Sequence, residues 1–281
     1  MSLFHHHKKE VHPDSGPLLH IDRVSISFDR PVLRDVSFQV RHGETVALMG
    51  KSGTGKSVLL KLIVGLLKPN AGKVVYRDRD VTTMNEGQLL ALRSEMGFLF
   101  QGAALFDSMT VGQNLELFLV KHTELSAPER EQKILETLDI VGLRDAVDKM
   151  PSELSGGMKK RAGLARSIVI EPDLMLYDEP TTGLDPLTAA SIAEEIVSLQ
   201  QRLGIASLVV THDLPTAFTV ADRAVVLNEG FVVFDGTLND FVSSNDPFLR
   251  EYLSASQLDR ARHDKIIKAI EQHSAPQEVT V

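Results

Sequence analysis

The 281-residue chain has no cysteine, no tryptophan and only three tyrosines, and its apolar runs are short. Without cysteine there can be no disulfide and no thiolate metal centre. Stability must then come from a buried core, which a hydrophobic content of 43% can supply at this length, as one large domain or as a domain with a subdomain. Even the most apolar stretch, VLLKLIVGLL from Val58, is interrupted by Lys61, so nothing approaches the ~20 residues needed to cross a bilayer. The start, MSLFHHHKKE, lacks the apolar segment of a secretory leader. These absences favour a soluble, cytoplasmic protein. A net charge of −8 argues against a broad basic surface for nucleic acid.

What is present centres on Gly50 to Ser57, reading GKSGTGKS. It follows the apolar run Val46 to Met49 and leads into Val58-Leu59-Leu60, a helical start. This is the strand, P-loop and helix arrangement that binds nucleotide phosphates. Gly50, Gly53 and Gly55, with Lys51, Ser52 and Thr54 between them, let backbone N–H groups turn inward around an anion at the positive end of the helix. Lys56 is placed to reach the β- and γ-phosphates, and the Ser57 hydroxyl to hold Mg²⁺, with Val58 opening the helix.

Residues 1–17 are polar and His-rich and read as a disordered tail. From Leu18, LHIDRVSISF and VLRDVSFQV alternate apolar and polar residues around Asp29-Arg30-Pro31, predicting an antiparallel half-buried ribbon. Phe28, near the end of its first strand, is an aromatic that could stack on a purine or face the core. Lys68 to Gly72 reads as a turn before the strand KVVY, and Asn85 to Glu95 as a helix before the run Met96 to Phe100. From Gln101 to about Arg166 helical spacing dominates, with helices expected at 111–120, at 128–141 and from Ser155. Strand and helix alternation then resumes: LMLY ends in Asp178-Glu179, Asp185-Pro186 opens a helix to about Leu203, and SLVVT ends in His212-Asp213. AVVL and FVVF around Glu229-Gly230 make a hairpin.

Four apolar runs, ending at Met49, Phe100, Tyr177 and Thr211, are each followed at once by polar residues or glycine. Continuous apolar runs suit buried parallel strands, and ligands bind beyond the carboxyl ends of such strands. The P-loop, Gln101, Asp178, Glu179 and His212 are therefore expected to converge. Asp178 would hold Mg²⁺ and Glu179 would orient or deprotonate the attacking water. Gln101 would reach metal or water, and His212 would donate to the γ-phosphate.

LSGGM, Leu154 to Met158, adds a second anion-binding helix start: Ser155 can cap the helix while Gly156 and Gly157 allow close approach to its N–H groups. With this motif the chain resembles the ATP-binding-cassette ATPases from Leu18 to about Phe241. P-loop, glutamine loop at Gln101, signature at Ser155 to Gly157, the Asp178-Glu179 pair, Gly183-Leu184-Asp185 and the switch histidine His212 stand in that family's order. The resemblance implies an α/β P-loop NTPase core with a mostly parallel sheet, an N-terminal antiparallel β subdomain and a helical insertion at about 102–166. It implies two subunits sandwiching two ATP molecules, the signature of one facing the P-loop of the other, and gives Phe28 the adenine-stacking role. The cassette would occupy 18–245, followed by a helical extension and tail over 246–281 with a narrow stripe at Leu258, Ile266, Ile267 and Ile270.

Within the family, GFLFQGAALFDSMTVGQNL and MPSELSGGMKKRAGLARSIVIEPDLMLYDEPTTGLDP look like the ATPases of phospholipid-trafficking transporters of the Mla type. Those work with an integral permease, an Mce-domain lipid-binding protein and often a STAS-domain subunit, so the resemblance implies a peripheral protein on the cytoplasmic face of a bacterial inner membrane. Lys51, Val58 and Met158 depart from the commonest cassette residues, and Met158 suits the lipid subgroup. A small-solute importer is the alternative. A cassette acting on DNA or ribosomes is disfavoured by the single P-loop and the short insertion, and no nucleic-acid partner is expected.

Overall fold

A computed structural model describes residues 16–255; the His-rich start and the stripe at Leu258 to Ile270 lie outside them. In chain order the strands and helices are β1 (Leu19–Ser27), β2 (Pro31–Val40), β3 (Thr45–Gly50), α1 (Lys56–Ile63), β4 (Ala71–Tyr76), β5 (Arg79–Asp80), α2 (Glu86–Arg93), β6 (Met96–Leu99), α3 (Val111–His122), α4 (Ala127–Ile140), α5 (Gly156–Ile168), β7 (Leu174–Asp178), α6 (Pro186–Leu203), β8 (Ala206–Val210), α7 (Leu214–Val220), β9 (Arg223–Asn228), β10 (Phe231–Thr237), α8 (Leu238–Ser243) and α9 (Pro247–Ala255).

The strands form two sheets. One has the order β2-β1-β4-β5 with antiparallel pairing, which is the alternating ribbon. The other has the order β10-β9-β3-β8-β7-β6 and is parallel from β9 to β6. The alternation in β1 puts Leu19, Ile21, Val24 and Ile26 into the core while their neighbours remain accessible. By contrast β3 and β8 are buried at every position, as their apolar runs require. Glu229 and Gly230, both with positive φ (49° and 85°), close the β9–β10 hairpin in two residues, the backbone a right-handed two-residue turn demands.

Two local expectations shift. The turn of the first ribbon is Phe28 to Arg30, because Pro31 already pairs with Ser27. The turn before β4 ends at Asn70, whose side chain accepts from the Ser27 N–H at 2.6 Å, and Ala71 and Gly72 belong to the strand. The helices start where caps predict. Asn85 and Thr110 form capping boxes with Gln88 and Gln113, and Asp185 accepts from the N–H groups of Leu187 and Thr188 at 3.1 Å each. Between β6 and β7 lie α3, α4 and α5, whose apolar faces share a core with Met175, Tyr177 and the buried side of α6.

Candidate active site

The P-loop begins where β3 ends. Gly50 has φ 146°, and a Cβ there would lie 2.4 Å from the Leu227 carbonyl oxygen on β9, so only glycine lets the loop leave the sheet this closely packed. Gly55, in left-handed backbone, precedes α1, and Lys56 is its first residue. The Lys56 ammonium is buried and donates to the carbonyl oxygens of Gly50 (2.7 Å) and Lys51 (3.1 Å), so it braces the loop from inside. Burial pushes its pKa down, opposed by the charges of Glu179 and Asp178.

Around this loop is a cleft of about 800 Å³. Lys51, Ser52, Gly53, Gly55, Lys56, Ser57 and Val58 line it together with Gln101, Asp178, Glu179 and His212. The strand ends at β3, β6, β7 and β8 thus meet at one place, as the four apolar runs predict. Ser57 Oγ donates to Asp178 Oδ1 at 3.4 Å. Asp178 has its pKa raised by burial and by the neighbouring Glu179 charge, with the Ser57 hydrogen bond and Lys56 opposing. Two adjacent carboxyls at the end of a strand, one half-buried, with a serine hydroxyl between one of them and the phosphate loop, suit a divalent cation.

Glu179 stands in left-handed backbone (φ 52°), and its carboxylate is held from two sides. Nδ1 of His212 lies 2.9 Å from both of its oxygens, and Thr182 Oγ1 donates to Oε2 at 3.0 Å. Its side chain is 16% exposed and that of His212 60%, so the pair spans the cleft from wall to mouth.

Two predicted groups lie apart from this cleft. Phe28 sits in the β1–β2 turn, 59% exposed and outside the lining, where Val32 appears instead. Ser155, Gly156 and Gly157 also lie outside the lining. Ser155 caps α5 by accepting from the Met158 N–H at 3.3 Å, and a Cβ on Gly157 would come within 2.6 Å of Thr188 Cγ2 on α6. The signature therefore forms a separate helix start.

Sequence reasoning missed two neighbours, Thr182 and Tyr252, and one contact, that of Lys51 with α9. Thr182 follows Glu179 by three residues and was hidden in plain reading. Tyr252 accepts from the buried Gly50 N–H at 3.3 Å across 202 residues of sequence, with no local signal. Lys51, the unusual P-loop residue, pairs with Glu251 at 3.0 Å and sits over the Phe248 ring, so α9 rests on the phosphate loop.

A family model described as ABC transporter matches residues 33–182. The chain is 39% identical over 236 residues to the intermembrane phospholipid transport system ATP-binding protein MlaF of Escherichia coli, covering 83% of this chain and 88% of that one. It is 40% identical over 261 residues to the chloroplastic protein TRIGALACTOSYLDIACYLGLYCEROL 3 of Arabidopsis thaliana, covering 86% and 75%. Among solved structures, the dimeric post-hydrolysis state of the ATP-binding cassette MJ0796 bound to ADP and Pi superposes with a TM-score of 0.72 at 30% identity, covering 78% of this chain and 98% of that one. With the fold, the phosphate loop and the carboxylate pair in place, the chain belongs to the ABC transporter family and is its ATP-binding, ATP-hydrolysing subunit.

Proposed function

We propose that this chain powers an ABC transporter that moves phospholipid between membranes. The observation that carries the reading is the 39% identity to a phospholipid-transport ATPase, spread over 88% of that relative's length. In the cleft, the P-loop N–H groups and Lys56 hold the ATP phosphates. Ser57, Asp178 and Gln101 would hold Mg²⁺, which when bound neutralises charge between the phosphates. Glu179 orients and deprotonates the attacking water. Its carboxylate is fixed for that task by His212 and Thr182, and because the imidazole meets Glu179 through Nδ1, Nε2 is the nitrogen directed elsewhere, toward the γ-phosphate.

Ser155, Gly156 and Gly157 complete the cleft of a second copy in a homodimer, a reading supported by their separation from the chain's own cleft and by the dimeric cassette it superposes on. Phe28, exposed on its turn, stacks on adenine. No helix among the described residues is long and apolar enough to cross a membrane, so lipid passage needs an integral permease. Phe106, 46% exposed just after Gln101, is a contact point for it, whereas Leu105 packs into the core of the helical region. The Mla-type resemblance adds an Mce-domain lipid carrier, a STAS-domain subunit and a peripheral position on the cytoplasmic face of the inner membrane.

Co-purification with the permease and reconstitution in vesicles test the reading. ATP should drive transfer of a fluorescent phospholipid between donor and acceptor vesicles, and Lys56→Ala or Asp178→Asn should abolish both hydrolysis and transfer. Hydrolysis that accompanies uptake of a small solute and no lipid transfer would overturn the phospholipid assignment.

A further inference from the structure

Helix α5 carries two buried cations, Lys160 and Arg166, each 5% exposed. Neither forms a salt bridge with a carboxylate among the described residues. Lys160 Nζ instead donates to the carbonyl oxygen of Gln101 at 2.5 Å and to that of Glu179 at 3.4 Å. Arg166 donates to the carbonyl oxygens of Ala104 (2.5 Å) and Ala103 (3.2 Å), with its guanidinium over the Phe118 ring. The loop they hold is strained: Ala103 and Ala104 both have positive φ, 59° and 52°, which a residue with a Cβ adopts at a cost. A Cβ on Gly163 would approach the Ala103 carbonyl to 3.0 Å, so helix and loop are in direct contact between the two cations.

Burying a cation against carbonyls alone is expensive, since no opposite charge in contact offsets its lost hydration. A buried methionine would fill such a space at lower cost, so a gain other than stability accounts for the lysine. The contacts show what the gain is. Gln101 and Glu179 follow different strands, and among the described residues Lys160 is the side chain bonded to the main chain of both. Burial lowers the Lys160 pKa, and the negative charges of Asp178 and Glu179 oppose that shift.

We propose that Lys160 is a positioning residue for ATP hydrolysis: it pins the Gln101 and Glu179 main chains at one separation, and with Arg166 makes residues 101–104 move as one body with α5. Lys160 is not among the residues that line the cleft. It acts by setting where the Gln101 amide and the Glu179 carboxylate stand, and misplacing a catalytic group by about 1 Å costs about 100-fold in rate. Because Ser155 caps α5, any displacement of that helix start reaches Gln101 through Lys160 and residues 103–104 through Arg166. The inference rests on the reading of Gln101 and Glu179 as groups of the ATPase cleft.

The test compares wild type, Lys160→Met and Lys160→Arg as full chains. Lys160→Met should lower kcat about 10- to 100-fold with KM for ATP changed less than about threefold, and Lys160→Arg, which keeps a buried donor cation, should recover most of the rate. Hydrogen exchange supplies a readout independent of turnover: the amides of residues 102–104 should exchange faster in Lys160→Met while those of the P-loop do not. If Lys160→Met does not fold, Lys160→Gln replaces it with the same expected pattern. Wild-type kcat in a folded variant, or kcat and nucleotide affinity falling together with the melting temperature and no rescue by arginine, would overturn the proposal, as would unchanged exchange at 102–104. A wild-type chain without ATPase activity would instead defeat the functional reading, and the exchange measurement would still decide whether Lys160 holds the loop.

Discussion

Glu179 is held by a ring nitrogen and a hydroxyl rather than by another charge that could replace it, so its contribution should show in turnover and little in binding. Glu179→Gln keeps the shape and the acceptor for Thr182 but removes the carboxylate we propose as the base. We expect ATP affinity within a few-fold of wild type and turnover lowered about 10²- to 10⁴-fold, checked by equilibrium nucleotide binding beside single-turnover hydrolysis. Glu195 on α6 gives a second residue-scale prediction. Burial raises its carboxyl from 4.5 to about 7, opposed by Arg161, whose Nε lies 3.3 Å away. A carboxyl with a raised folded-state pKa binds its proton more tightly when folded, so its stabilising contribution is complete below pH 4.5 and is lost as pH rises through about 7. Glu195→Gln should therefore raise stability at pH 8 by about 1–3 kcal/mol relative to wild type and give no gain at pH 5, as read from melting curves at the two pH values.

At the scale of elements, α9 is the piece that joins the phosphate loop from outside. Leu249 and Tyr252 are buried in a core shared with Ala47, Met49 and Phe218, and the tyrosine hydroxyl accepts the Gly50 N–H. Tyr252→Phe would leave that buried N–H unpaired, which costs about 1–3 kcal/mol; the melting temperature should fall, and ATP affinity with it as the loop relaxes, both measurable by calorimetry. Lys51→Ala should matter far less, because its ion pair with Glu251 is more than half exposed on both sides.

The same elements show what was legible beforehand. The alternation of Leu19 to Ser27, the apolar runs of β3 and β8 and the caps at Ser155 and Asp185 are local signals, and each produced the element it announced. The convergence of Asp178, Glu179, Gln101 and His212 on the P-loop was legible too, because parallel strands place their carboxyl ends on one side of the sheet. α7 was not: its seven residues, LPTAFTV, are too few to show a helical period. Lys160 carries no sequence signal of its role, since nothing nearby reveals that its ammonium turns inward to two carbonyls.

At the scale of the whole molecule, the strand that carries the phosphate loop is central in its sheet but has no neighbour from its own part of the chain. β3 pairs with β8 on one side and β9 on the other, and the last contact on its loop comes from Tyr252. A chain leaves the ribosome from its N-terminus, so residues 45–50 are made long before residues 206–228 exist to flank them. For most of its synthesis this protein is an unfinished sheet with its middle strand waiting, its Val46 to Met49 backbone unpaired and open to the wrong partner. The seat for the phosphates is therefore among the last parts of the sheet to be finished, since it needs residues 206–228 and then Tyr252.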